Sequence, residues 1–314
     1  MSDTTEAGPG TEPGAADPRA GEGRASASLP AAGRQASLWG DAVRELVRSP
    51  LFVAAAVVAL VVIVMAIVPS LFTNTDPRSC SLSNSLGRPS ADAWFGYDLQ
   101  GCDYYARTIY GARASIAIGF LSSATAAAIG IVLGSLAGYY GGWLDAILAR
   151  LADVFFAVPV ILGGIVILSA LGTRGIWQVA LVLFVLAWPT SMRLMRSQVL
   201  SIKQQDYVQA ARALGAGDLR IILRHILPNA IAPVIVYATI FVGVVIGAEA
   251  TLSFLGVGLQ LPAISWGLML SVAQNRILQA PHLLLFPGLF LSVTVLAFLV
   301  MGDQLRDALD PKLR

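Results

Sequence analysis

Two lysines (Lys203, Lys312), two histidines (His225, His282) and two cysteines (Cys80, Cys102) are the sparse reactive inventory of this 314-residue chain. Neither lysine follows a glycine, so the Gly-Lys-Ser/Thr loop that cradles nucleotide phosphates is missing and the chain is not itself a P-loop ATPase. The histidines and cysteines do not cluster at zinc-binding spacings, so no metal is expected. Both cysteines fall in one polar interval. A disulfide between them is the leading expectation and two unrelated free thiols the alternative. In the chain-entropy model such a bridge contributes about 3 kcal/mol. No paired aspartates or Ser-His dyad stand inside an apolar run, and Asp153 is a lone acid at a run's end, so no catalytic residue is assigned.

What remains is recognition chemistry in the polar interval 206–228. Residues 206–214 read as a short helix with a small-residue face at Ala210, Ala211 and Ala213. Gly215-Ala216-Gly217 breaks it, and Asp218 stands where an N-cap belongs. On the second helix Leu219, Ile222, Leu223 and Ile226 recur at helical spacing, with Arg220 and Arg224 one turn apart on the other side. Pro228 is expected to end it. Ala210, Ala211 and Gly215 keep such a bracket slim enough to seat in a groove, where Arg212, Arg220 and Arg224 can meet acidic groups; an amphipathic surface hairpin with no partner is the alternative.

The elements around the bracket follow from composition. The chain is 56% hydrophobic and 13% charged, where a soluble protein carries roughly a quarter charged residues. An all-α polytopic membrane protein is therefore expected. The net charge of +2 calls for no nucleic acid. Residues 1–36, rich in Gly, Pro, Ala and Ser, read as a disordered cytoplasmic tail. Residues 37–50, with Trp39, Val43, Leu46 and Val47 on one face, read as an amphipathic interfacial helix or a polar lead-in to the first span.

Six spans are expected, at about 51–72, 114–139, 151–171, 176–195, 230–248 and 283–301. In the second, Gly130, Gly134 and Gly138, with Ala126, give a small-xxx-small stripe for close helix packing. Bends are expected at Pro159 with Gly163-Gly164, at Pro189 and at Pro287. Arg150 and Asp153 are spaced to pair. Residues 73–113 form an extracytoplasmic segment, and 251–279 a short helix or re-entrant segment outside. Glu249 is placed at the outer end of the fifth span. Arginines and lysines concentrate in the bracket and C-terminal tail, which puts both termini in the cytoplasm. With no ionisable path through the spans, energy for any transport would have to enter through the bracket.

The bracket resembles the EAA signature of bacterial ABC-importer permeases: Glu-Ala-Ala, three residues, Gly, nine residues, Ile, one residue, Leu-Pro. Ala210, Ala211, Gly215, Leu227 and Pro228 match at that spacing; Gln209 replaces the Glu and His225 the Ile. Phe95-Gly96, Asp98, Gly101, Asp103 and Gly111-Ala112-Arg113 match before the second span. Leu252-Ser253-Phe254-Leu255-Gly256, Ser265-Trp266-Gly267 and Gly302-Asp303 match later in the chain. Together they are similar to the C-type subunit of the dipeptide/oligopeptide/nickel permease family, over nearly the whole chain after the tail. Cys102 replaces the family's usual Arg, and its arrival with Cys80 favours a bridge.

The resemblance implies a type I importer-like fold: a permease core over 114–314 with coupling helices at 204–228. It implies that Gln209, Ala210, Ala211, Arg212, Gly215, Arg220, Arg224, Leu227 and Pro228 meet an ATPase. It implies as partners a homologous permease, two P-loop ATPases holding ATP and Mg, and an extracytoplasmic binding protein, all at the bacterial plasma membrane and its lipid bilayer. Di- or oligopeptides are the implied cargo. Nickel, glutathione or another small solute in the same machine is one alternative, and an ATP-independent channel or secondary transporter another. An intramembrane enzyme lacks its catalytic groups. No residue is assigned to substrate binding.

Overall fold

A backbone inside hydrocarbon must satisfy its own polar groups, and a helix does so within one segment. In a computed structural model describing residues 38–309, the apolar runs are helices. Residues 1–37, which include the expected tail 1–36, the residues after 309 and the side chains of Leu38, Trp39 and Asp41 lie outside this description. In chain order the helices are α1 (Leu38–Arg48), α2 (Pro50–Ile67), α3 (Tyr104–Tyr140), α4 (Gly142–Phe156), α5 (Val160–Leu171) and α6 (Ile176–Ile202). They continue as α7 (Asp206–Ala213), α8 (Asp218–Ile221), α9 (Leu227–Ala230), α10 (Ala232–Phe254), α11 (Trp266–Ala273) and α12 (His282–Leu309). Among the described residues α2, α3, α6, α10 and α12 are each long and apolar enough to cross a membrane.

The third expected span, at 151–171, is not a simple helix among the described residues. It is α4 plus α5, bent by 86° at a break. Pro159 stands at the break as the N-cap of α5, where a residue without an N–H costs nothing. Gly163 and Gly164 do not loosen α5. They face Leu186 and Leu252, so they are close-packing points.

The second span begins ten residues earlier than expected. Asp103 caps α3 by accepting from Ala106 N at 2.7 Å. Its early arginines have partners: Arg107 pairs with Asp98, and Arg113 donates to the Ala66 and Ile67 carbonyls ending α2 at 3.0 and 3.2 Å. A satisfied arginine does not end a helix. At 37 residues α3 is about 55 Å long, well beyond the hydrocarbon core. It therefore carries the two polar ends of the bundle on one rod.

α3 packs along α6 through the glycine stripe. A Cβ on Gly134 or Gly138 would stand 2.7 Å from Met195 Cβ or 2.8 Å from Val199 Cβ. Only glycine admits that approach. α6 and α12 run through Pro189 and Pro287 as single helices.

The fifth span likewise runs past Glu249 to Phe254. Glu249 is fully buried rather than standing at an outer surface. Its carboxylate accepts from the hydroxyls of Ser115 on α3 (3.2 Å), Ser253 (2.8 Å) and Ser265 (2.9 Å). Ser265 also caps α11, accepting from Leu268 N at 3.2 Å. Trp266 donates to the Thr108 carbonyl at 2.9 Å. The short helix expected within 251–279 is thus α11, pinned between α3 and α10.

In α1 the apolar face divides. Ala42 and Leu46 bury against Ala308 of α12, while Val43 and Val47 stay exposed.

Candidate functional site

The 206–228 interval folds as two short helices with a turn between. α7 is amphipathic and buries only Val208. Gly215 turns the chain with φ of +81°, a conformation open to glycine at little cost. Asp218 is the first residue of α8 rather than its cap, which is Gly217. Freed from capping, the Asp218 carboxylate accepts from the Tyr139 hydroxyl at 2.7 Å.

Pro228 does not end the second helix. A π-helical turn, Ile222–Ile226, widens the backbone ahead of it, and Pro228 enters the first turn of α9. Proline is tolerated there because the early N–H groups of a helix lack partners anyway.

The inner face of the bracket is apolar. Val208, Ile221, Ile222 and Ile226 join Tyr139 of α3 and Met195 and Val199 of α6 in one buried cluster. Polar contacts fix the same end. Gln209 Nε2 donates to the Lys203 carbonyl at 2.7 Å, and Lys203 Nζ donates to the Gly138 carbonyl at 2.7 Å. Arg196 grips Asp145 with two hydrogen bonds, and Arg193 and Arg150 both reach Asp153. The Arg196 and Arg193 pairs tie α6 to α4, whereas Arg150 pairs within α4.

The outer face is unlike the inner. Leu214 is 89% exposed, Leu219 70% and Leu223 54%. The four apolar residues read as one stripe are therefore two: Ile222 and Ile226 point in, with Ile221, while Leu219 and Leu223 point out beside Leu214. The signal was available, since Leu219 and Leu223 are four apart and each about half a turn out of phase with Ile221. Arg220 and Arg224 are exposed and form no ion pair among the described residues. Arg212 lies 5.6 Å from the centre of the Tyr139 ring. Ala210 is exposed and Ala211 half-buried. Partial desolvation pushes the hydroxyl of the nearby, largely exposed Tyr207 above its ordinary pKa. The arrangement is a rigidly seated ridge with apolar and cationic groups facing away from the bundle.

The other end of α3 carries residues 68–103. Cys80 and Cys102 are joined there as a disulfide. Asp98 accepts from Gln100 N and Cys102 N at 2.8 and 2.9 Å and pairs with Arg107. Sequence reasoning matched Asp98 to a motif but did not foresee this pairing, which depends on the loop folding back onto α3.

Known proteins share the pattern. Residues 130–314 match the family described as the inner membrane component of binding-protein-dependent transport systems. Residues 37–87 match the N-terminal transmembrane domain of oligopeptide transport permease C. The chain is 40% identical to the dipeptide transport system permease DppC of Alkalihalophilus pseudofirmus, over 88% of this chain and 91% of that protein. It is 39% identical to the oligopeptide permease OppC of Bacillus subtilis, with the same coverage. The glutathione permease GsiD of Escherichia coli O157:H7 is 40% identical over 88% of this chain and 91% of its own length. A solved chain of the MetNI methionine ABC transporter shares the fold, with a TM-score of 0.53 at 22% identity over 64% of this chain and 96% of that one. The protein described above therefore belongs to the binding-protein-dependent transport inner membrane components, as a multi-pass ABC-transporter permease of the dipeptide/oligopeptide C-type group.

Proposed function

We propose that this chain forms one half of the membrane pathway of an ATP-driven importer of di- or oligopeptides. A homologous permease supplies the other half. Two P-loop ATPases, which hold the ATP and Mg, grip the 206–228 bracket from the cytoplasm. An extracytoplasmic binding protein delivers cargo at the opposite end, and both termini of the chain lie in the cytoplasm. The observation that carries this reading is the two-faced bracket: Ile221, Ile222 and Ile226 are sunk into α3 and α6, while Leu214, Leu219, Arg220 and Arg224 face away. Exposed apolar side chains beside unpaired cations are the composition of a protein–protein contact. A ridge seated this firmly passes a push to α3 and α6 as a lever, and the pathway then alternates between two states. Gln209 can hydrogen-bond within this joint but brings no charge to it.

The peptide cargo rests on the dipeptide and oligopeptide relatives. Glutathione is the second reading, favoured by a relative of equal identity.

Reconstitution of the complete importer tests both parts. Gly215→Val forces a β-branched residue into a positive-φ site, and Leu214→Asp charges the ridge. Each variant is expected to insert and to lose at least ten-fold of ATP-driven uptake and of transport-linked ATPase stimulation. Normal coupling in both variants, or uptake by this chain in liposomes without any ATPase, would overturn the reading. Competition of labelled dipeptide uptake by unlabelled glutathione separates the two cargoes.

A further inference from the structure

At the end of α3 opposite the bracket lies an open cavity of about 630 Å³. Four segments meet in it: residues 74–78 after α2, the first turns of α3, the start of α6 and residues 263–264 before α11. Its volume lies within the range of small-molecule sites, roughly 300–1,000 Å³. The walls carry charges of both signs: Asp76 on one side of the account, Arg78 and Arg113 on the other, with Asn74 and Tyr110 as neutral polar groups. Ile176 and Ile264 add apolar surface.

These charges do not neutralise one another. Asp76, Arg78 and Arg113 form no ion pair among the described residues. Asp76 uses Oδ1 to accept from Arg78 N at 2.9 Å, a local turn that leaves Oδ2 without a partner among the described residues. Arg113 is held by the C-terminal end of α2 through Nε and Nη2, which leaves Nη1 in the same condition. Anchored in this way, its guanidinium is pre-placed for an anion.

We propose that this cavity is a substrate subsite that receives a zwitterionic solute: an ammonium group at Asp76 and a carboxylate at Arg78 and Arg113. The inference rests on the peptide reading above, because a short unblocked peptide carries that pair of end charges. It adds a binding site on this chain, at the end of α3 opposite the bracket, to a function otherwise defined by the partners.

The test uses the complete importer in liposomes, with binding protein loaded to saturation with labelled alanyl-phenylalanine. Asp76→Asn removes the charge but keeps an oxygen for the Arg78 N–H, and Arg78→Gln removes the opposite charge. Each is expected to lower the uptake rate about ten-fold while the ATPases still co-purify. Asp76→Glu and Arg78→Lys, which keep the charges, are expected to recover uptake to within about two-fold of the native rate. Uptake of the N-acetylated dipeptide, which has no ammonium group, is expected to be unaffected by Asp76→Asn. Native import together with unchanged uptake in Asp76→Asn and Arg78→Gln overturns the subsite alone. So does a loss that the charge-retaining variants fail to recover. Failure of the native importer to carry any dipeptide overturns the peptide reading, and the subsite with it.

Discussion

The two ends of α3 hold their polar segments by opposite means. At the Tyr104 end, residues 68–103 have almost no regular structure, only short 3-10 turns such as Leu82–Asn84. They are nonetheless closely tied. The Cys80–Cys102 bridge closes the loop, Asp98 accepts from two backbone N–H groups and from Arg107, and Phe95 stacks on Phe286 with ring centres 3.8 Å apart. Tyr104 donates to the Leu283 carbonyl at 2.6 Å. At the Tyr140 end the bracket is helical and needs fewer ties: an apolar underside and a few hydrogen bonds. Two glycines with positive φ make the contrast concrete. A Cβ on Gly101 would overlap the Ser81 carbonyl, whereas one on Gly215 would meet open space. An irregular segment, which gains little from backbone pairing, is held shut from many directions. A helical ridge satisfies its own backbone and stays free to meet a partner on its outer face.

This contrast breaks most sharply at Asp98. Asp98→Ala strands the Arg107 charge, whose side chain is only 14% exposed, and orphans two N–H groups. A loss of about 3–5 kcal/mol is expected at this end. Hydrogen exchange should show amides 80–103 losing protection while amides 206–226 keep theirs; equal loss at both ends would erase the distinction. A smaller effect is expected from Cys80→Ser combined with Cys102→Ser. Releasing a closure across 22 residues costs about 3 kcal/mol in the chain-entropy model, read as faster proteolysis within 73–103 and unchanged bracket cleavage. The smallest is Tyr139→Phe, which removes one hydrogen bond to Asp218 and is expected to cost about 1 kcal/mol. Thermal unfolding of the purified importer should shift only slightly and uptake should fall less than two-fold. A larger loss would mean that the bracket depends on that bond rather than on its apolar seat.

Much of this was legible beforehand, for reasons that can be named. Uncharged runs near twenty residues have few structural solutions in a membrane, so the spans were readable. The glycine stripe 130–134–138 was readable because its period matches the helix. Helix ends were less so. α3 and α10 continue past Arg113 and Glu249 because distant groups satisfy those side chains: the C-terminal end of α2 for one, serines on α3 and beside α11 for the other. No local pattern reports a partner 134 positions away in the chain.

The candidate site divides in the same way. Spacing alone marked Gly215, Ala210, Ala211 and Pro228 as one bracket, because turn and helix chemistry act over a few residues. Which leucines face out, how a π-helical turn passes the chain into Pro228, and that Asp218 bonds Tyr139 instead of capping a helix were decided only when the bracket settled on α3 and α6. The amino-acid order determined the apolar spans, the breaks at Pro159 and Gly215 and the cysteines available for pairing, since those depend on backbone propensity and composition. The tertiary structure decided which charges are paired, which apolar residues remain uncovered and that Asp76 and Arg78 line one cavity with Arg113, since those depend on segments brought together from across the chain.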